Sequence, residues 1–250
     1  MNSVKILNLQ IDNLSMQEVL ERLHQGVVFT PNVDHLIKLQ SDQSFKEVYD
    51  TADYKLCDSK ILIYASKFLG SPIREKISGS DFFPAFYEFH RNHLEIKLFL
   101  LGAQAGVAAE AQRRINGKIG RAIVVGSYSP PFGFETDVAE CEHIIEMVNR
   151  SGATVLAVGL GAPKQEKFIY NYKNRFSIVK IFLAVGATLD FEAGQVNRAP
   201  KWVSEAGLEW LYRLLSEPKR LWKRYLLEDT RFLWLVFTQK LNLYKRSVGK

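Results

Sequence analysis

The chain has 250 residues, is 47% hydrophobic and 24% charged, and carries a net charge of +6. That is an ordinary globular composition, enough for a substantial core in one domain or at most two. Cys57 and Cys141 lack metal or redox spacing, MNSVKILNLQID has no long apolar segment or cleavage site, and no run approaches ~18 apolar residues, so no disulfide framework, zinc site, signal peptide or transmembrane helix is expected.

In chain order, apolar runs predict strands at 4–7, 27–30, 96–101, 122–125, 154–158 and 180–185. Between them, amphipathic periodicity predicts helices at 15–24, 34–39, 61–68, 81–92, 105–116, 137–149 and 163–173. Continuous Val/Ile/Leu strands alternating with such helices point to an α/β fold: a mostly parallel sheet covered by helices on both faces. From Gly194 the pattern changes to long helix-like stretches without strands, which divides the chain into a core (1–194) and a C-terminal helical appendage (195–250). The charge changes there too. The first 194 residues hold 21 basic and 22 acidic side chains, whereas the remainder holds 12 and 5. A basic excess confined to a tail implies an anionic partner: a membrane surface, a phosphate or a nucleic acid.

Ligands of open parallel sheets sit beyond the carboxyl ends of the strands. Four turns should open there: FTPNVDH (29–35), FLLGAQAG (99–106), VGLGAPKQE (158–166) and AVGATLDF (184–191). Gly102, Gly159, Gly161 and Gly186 lie at strand exits, where backbone turns sharply or passes close to something. In the third turn Pro163 opens a helix whose N-terminus favours an anion, and Gly161 would let a phosphate approach. Lys164, Gln165 and Glu166 add a charge and two polar hydrogen-bonders. The turn fits neither dinucleotide nor P-loop signatures, because Lys164 stands where GxGxxG needs glycine and GxxxxGK[ST] is absent.

These stretches carry a resemblance. VGLGAPKQEKFI, LGSPIREKISGSDFF (69–83), FTPNVDH and AVGATLDFEAGQVNRAPKWVSEAGLEWLYRLLSEPKRLWKRYLL (184–227) are similar, in order, to the signatures of the WecG/TagA/CpsF glycosyltransferases. The resemblance implies a Rossmann-like fold and transfer of a sugar from a UDP donor to an undecaprenyl-diphosphate-linked sugar at the cytoplasmic membrane face. It implies Asp58, in KLCDSKIL (55–62), as the catalytic base, with Ser59 in place of the family's glycine; helix capping by Asp58 is the plainer alternative. Thr30 and Asn32 match the family's Thr-x-Asn and suit sugar hydroxyls; capping by Asn32 is again the alternative. His35 beside them is expected to be a packed or surface residue. Lys76 replaces a family arginine, keeping the charge but losing the bidentate fork.

No Asp-x-Asp occurs, so neither a metal nor another cofactor is expected, and Asp190 in Asp190-Phe191-Glu192 is expected to hold a ribose, a uracil or a backbone amine. In the tail, Arg213, Arg220, Arg224 and Arg231 fall on one stripe of a continuous helix, although Pro218 interrupts the geometry. Leu214, Leu215, Leu221, Trp222, Tyr225, Phe232, Leu233 and Val236 cover the other side. Such a helix reads as binding an anionic membrane surface, with Arg213, Arg220 and Arg224 approaching the leaving or lipid diphosphate; no nucleic-acid module accompanies the charge. The expectation is an inverting, metal-independent glycosyltransferase, peripheral on the inner face of the membrane. The donor sugar, N-acetylmannosamine or another hexose, is open, as is the oligomeric state, a homo-oligomer included. A non-catalytic UDP-sugar-binding module is the rival, carried by Ser59 and Lys76. Cutting before Gly194 is expected to leave a folded core.

Overall fold

The computed structural model describes residues 2–196, 203, 211–212 and 229–244. Six strands form one wholly parallel sheet: β3 (Gly26–Phe29), β4 (Tyr54–Lys55), β5 (Leu98–Gly102), β6 (Val124–Tyr128), β7 (Val155–Gly159) and β8 (Ile181–Ala184), in the order β4-β3-β8-β7-β5-β6. An antiparallel hairpin, β1 (Ser3–Ile6) and β2 (Leu9–Asp12), precedes it. The central strands are buried on both sides, so their residues alternate between two cores. Phe99, Leu101, Leu156, Val158, Phe182 and Ala184 enter one core; Leu98, Leu100, Val155, Ala157, Ile181 and Leu183 enter the other. This is why these strands read as unbroken apolar runs rather than alternating ones.

The first core lies under α2 (Val33–Ser41), α3 (Gln43–Asp50), α4 (Lys60–Leu69), α7 (Val138–Ser151) and α8 (Lys164–Tyr172). The second lies under α1 (Met16–Arg22), α5 (Gly79–Phe89), α6 (Val107–Ile119) and α9 (Thr188–Glu192). Thus the expected doubly covered α/β sheet is present. The helices after β5 and β7, neighbours in the sheet, go to opposite faces, which opens a crevice at their carboxyl ends.

Two strands and two helices escape the sequence pattern. β4 has two residues and β2 four, too short for periodicity. α3 is largely polar, its core contact confined to Phe45, Val48 and Tyr49, with Asp42 capping it through Phe45 N. The five-residue α9 sits in a stretch read as turn.

A last described helix, α10 (Asp229–Lys240), packs on α2 and α4. Phe232 and Val236 are buried in the first core, and Gln239 Oε1 accepts from Leu7 N at 2.7 Å in the β1–β2 turn. Phe232 and Val236 therefore face inward as the stripe requires, while Leu233 and Trp234 are exposed. Cutting before Gly194 would strip these two side chains from the core. The expectation of a self-sufficient 1–194 core does not account for that contact.

Candidate functional site

Because every strand of the main sheet is parallel, the exits of β3, β4, β5, β7 and β8 share one edge. Hydrogen bonds lace them together. Asp58 N, after β4, donates to Pro31 O, after β3, at 3.0 Å, and Ile77 N donates to Cys57 O at 2.8 Å. Thr30, Asn32, Asp58 and the segment leading into α5 thus converge. A Cβ on Gly79 would stand 3.4 Å from both Thr30 Oγ1 and Val185 O, and 3.7 Å from Thr188 Oγ1. The first turn of α5 therefore sits against the exits of β3 and β8.

The capping alternatives resolve differently for the two residues. Asn32 caps α2, its side chain accepting from His35 N at 3.2 Å. Asp58 is not the cap of α4. Ser59 is, accepting from Ile61 N at 3.2 Å. The departure from glycine at 59 thus has a structural account, and it leaves the half-buried Asp58 carboxylate out of the cap. Lys76 lies near this group, its ammonium 3.4 Å from Asp81 Oδ2. The neighbouring Cys57 thiol is pushed up to about 12 by burial, so it stays a neutral packing group.

The glycines divide into two kinds. A Cβ on Gly102 would come 2.4 Å from Gly159 O, and one on Gly159 would come 2.8 Å from Gly186 O and Leu189 Cδ1. Their missing side chains are accounted for by the protein's own backbone, packed where Ala103 N donates to Gly159 O at 2.9 Å. Gly161 and Gly186 are different. Both have positive φ, 75° and 55°, and a Cβ on either would meet nothing within 4 Å. These two face open space at the crevice.

The first turn of α8 holds three predicted residues in three different situations. Lys164 is engaged by the loop after β6: its ammonium is 2.6 Å from Glu135 Oε1 and 4.4 Å from the centroid of Phe132, which is 99% exposed. Gln165 is buried, and its Oε1 accepts from Gly186 N at 2.9 Å, clamping the start of α8 to the exit of β8. Glu166 is fully buried; its Oε1 accepts from Gln165 Nε2 at 2.9 Å, and its Oε2 has no partner among the described residues. Burial pushes its carboxyl up to about 7, against smaller lowering contributions from Gln165 and Lys38. No side chain caps α8, which leaves its N-terminal end to an anion.

Asp190 lies in the first turn of α9, past Gly186, while Glu192 accepts from Tyr87 Oη at 2.9 Å. Two positions apart on a helix point about 200° apart, so these carboxylates do not form a pair. Arg213, Arg220 and Arg224 lie outside the described residues.

The sequence reading missed a buried polar cluster behind this edge. His35 Nδ1 is 2.6 Å from Tyr49 Oη, both buried, and the Tyr49 hydroxyl is held well above its ordinary range by burial and by the nearby charges of Glu166, Asp58 and Asp34. Tyr49 comes from a helix that periodicity did not reveal. His35 was legible as the third residue after the Asn32 cap, but its burial was not.

Comparison with known proteins gives a consistent match. The profile described as Glycosyl transferase WecG/TagA/CpsF family matches residues 4–246. The chain is 29% identical over 207 residues to an N-acetylglucosaminyldiphosphoundecaprenol N-acetyl-beta-D-mannosaminyltransferase of Bacillus spizizenii, covering 83% of this chain and 77% of the relative. It is 28% identical over 201 residues to a protein of the same description from Bacillus subtilis, covering 80% and 75%.

Proposed function

The chain belongs to the glycosyl transferase WecG/TagA/CpsF family and is a glycosyltransferase; from that premise we propose that it moves N-acetylmannosamine from a UDP donor to a polyprenyl-diphosphate-linked N-acetylglucosamine, with inversion and without a metal. The acceptor and sugar follow the descriptions of the two Bacillus relatives. Their β-linked product corresponds to a single displacement on an α-linked sugar nucleotide. The observation that carries the reading is the convergence of Asp58 with Thr30 and Asn32, joined by the Asp58 N to Pro31 O bond at the carboxyl edge of the sheet.

In this scheme Asp58 takes the proton of the acceptor hydroxyl as its oxygen attacks the anomeric carbon. The bond from that carbon to the diphosphate breaks, UDP leaves, and the proton remains on Asp58 until solvent removes it. A well-placed base of this kind contributes roughly 10²–10⁴-fold. Thr30 and Asn32 position a sugar, Gly161 and Gly186 admit the diphosphate, and the N-terminus of α8 meets its charge. Asp190 reaches the ribose or uracil. Metal independence rests on the lack of Asp-x-Asp in the sequence and, among the described residues, the lack of three gathered metal-binding side chains.

No described helix is long and apolar enough to cross a membrane. Peripheral attachment at the inner face is supported by the basic tail and by α10, which exposes Leu233, Trp234 and Phe237 beside Arg231 and Lys240. The basic charges of Arg213, Arg220 and Arg224, which lie outside the described residues, are assigned in this scheme to a diphosphate. UDP release from UDP-N-acetylmannosamine with a lipid-linked N-acetylglucosamine acceptor tests the reading. Turnover dependent on that acceptor is expected, and its absence across a panel of UDP-sugars would overturn it.

A further inference from the structure

Glu166 is the most deeply buried side chain of the first α8 turn, yet it carries an ionisable group and, among the described residues, a partnerless oxygen. The groups facing it are mixed. From α2 come Asp34 and Lys38, paired with each other at 2.8 Å, and His35; from α3 comes Tyr49; beyond these lies Asp58. On α8 itself Lys167 is taken by Asp42 at 3.1 Å. No cation among these binds the Glu166 carboxyl directly; its side-chain partner is the neutral Gln165 amide.

We propose that Glu166 works as a neutral acid: a positioning residue that fixes the Gln165–Gly186 clamp and, by keeping its proton, leaves the N-terminal turn of α8 free of negative charge for an anionic donor. The inference rests on the donor reading above. The clamp needs only an acceptor at Glu166 Oε1, which the protonated carboxyl retains. An ionised carboxylate in the same turn would itself offset the positive end of the helix dipole and repel the incoming diphosphate. Burial supplies the means, since desolvation holds the proton on near neutral pH. Donor binding and proton binding are therefore linked: the donor should bind with proton uptake, and its affinity should fall as the carboxyl ionises.

The test is binding of UDP-N-acetylmannosamine by calorimetry from about pH 6 to about pH 8.5, in buffers of different ionisation heat. It is run without acceptor in an Asp58→Asn background, which slows turnover, with and without Glu166→Gln. With Glu166 intact, affinity should fall about tenfold across that range, with proton uptake. Glu166→Gln, neutral and isosteric, should lose most of that dependence and bind more tightly than its parent at the alkaline end. Equal pH dependence in both proteins would overturn the inference, as would weaker binding by Glu166→Gln at every pH, which is the signature of a purely structural role. Thermal stability is a separate readout. A carboxyl whose folded pKa is raised contributes stability at low pH that is lost as pH rises through about 7. Tm should therefore fall between about pH 4.5 and about pH 7 with Glu166, and less so with Glu166→Gln. If no UDP-sugar bound at any pH while the Tm difference held, the donor reading would fail and Glu166 would stand as a buried neutral acid with a different anion to receive; a Tm profile unchanged by the substitution would sink the acid itself.

Discussion

The strand-exit glycines answer differently to a single methyl group, and the difference can be worked out position by position. At Gly102, φ is 122° and the new Cβ would lie 2.4 Å from Gly159 O and 2.6 Å from its carbonyl carbon. Neither atom is free to move, since Gly102 and Gly159 are register partners of adjacent central strands. Overpacking costs roughly 1–3 kcal/mol and the backbone conformation about 1–3 more, so Gly102→Ala should lose about 2–6 kcal/mol. At about 2–4 °C per kcal/mol for a chain of this size, Tm should drop on the order of 10 °C. Gly159→Ala has no conformational penalty and should lose about 1–3 kcal/mol against Gly186 O and Leu189. Gly161→Ala meets nothing within 4 Å and loses about 1–2 kcal/mol for its positive φ alone. The order should reverse for donor affinity. If a diphosphate lies against Gly161, the methyl group there should weaken UDP binding about tenfold, whereas folded Gly159→Ala should bind nearly normally. Thermal denaturation and UDP titration of the three variants read both orders. Equal stability of Gly102→Ala and Gly161→Ala would refute the close-approach argument, and normal UDP binding by Gly161→Ala would remove the diphosphate from that turn.

Asp58→Asn should cut turnover at least ~10²-fold while leaving UDP affinity nearly unchanged, measured by steady-state kinetics and calorimetry; near-normal turnover would end the base assignment. Activity should persist in excess chelator. Loss in EDTA restored by magnesium or manganese would contradict metal independence and make Asp190 the first ligand to test. Arg213→Glu, Arg220→Glu and Arg224→Glu should each lower turnover with a membrane-embedded acceptor and with a water-soluble one; full activity on the soluble acceptor would reduce these arginines to membrane anchors. Point variants serve better here than truncation, because removing the tail also removes Phe232 and Val236 from the core, and losing one buried Phe side chain costs about 3–5 kcal/mol.

Five of the six sheet strands and the amphipathic helices between them were legible for a physical reason. Strands buried on both faces cannot hide their apolar runs, and helices with one buried face must repeat it. What stayed hidden is what long-range packing decides. β4 is two residues long and exists because β3 offers it an edge, with Lys55 N held by Asp12 Oδ2 at 2.7 Å from the distant hairpin. α3 shows only Phe45, Val48 and Tyr49 to the core, and its eight residues are fewer than a helical period needs to stand out. The packing of α10 on α2 and α4 joins residues more than 160 positions apart, beyond any local signal.

At the site, composition at strand exits could say that Gly159, Gly161 and Gly102 clear space, but not for whom. Only neighbours from other strands show that Gly102 and Gly159 yield to protein and Gly161 to open crevice. The same holds for Lys164-Gln165-Glu166. Read along the chain, all three look like solvent-facing donors and acceptors of a first helical turn. In the fold their roles separate by burial: Lys164 leans outward onto Glu135 and Phe132, Gln165 ties two strand exits, and Glu166 lies fully inside. Burial of a carboxyl is a property of what covers it, here the first turns of α2 and the Tyr49 face of α3, and both covers come from more than 100 residues upstream. A motif can therefore name the residues of an anion site while leaving undetermined which of them bears charge, and that is settled by desolvation, through the proton Glu166 keeps.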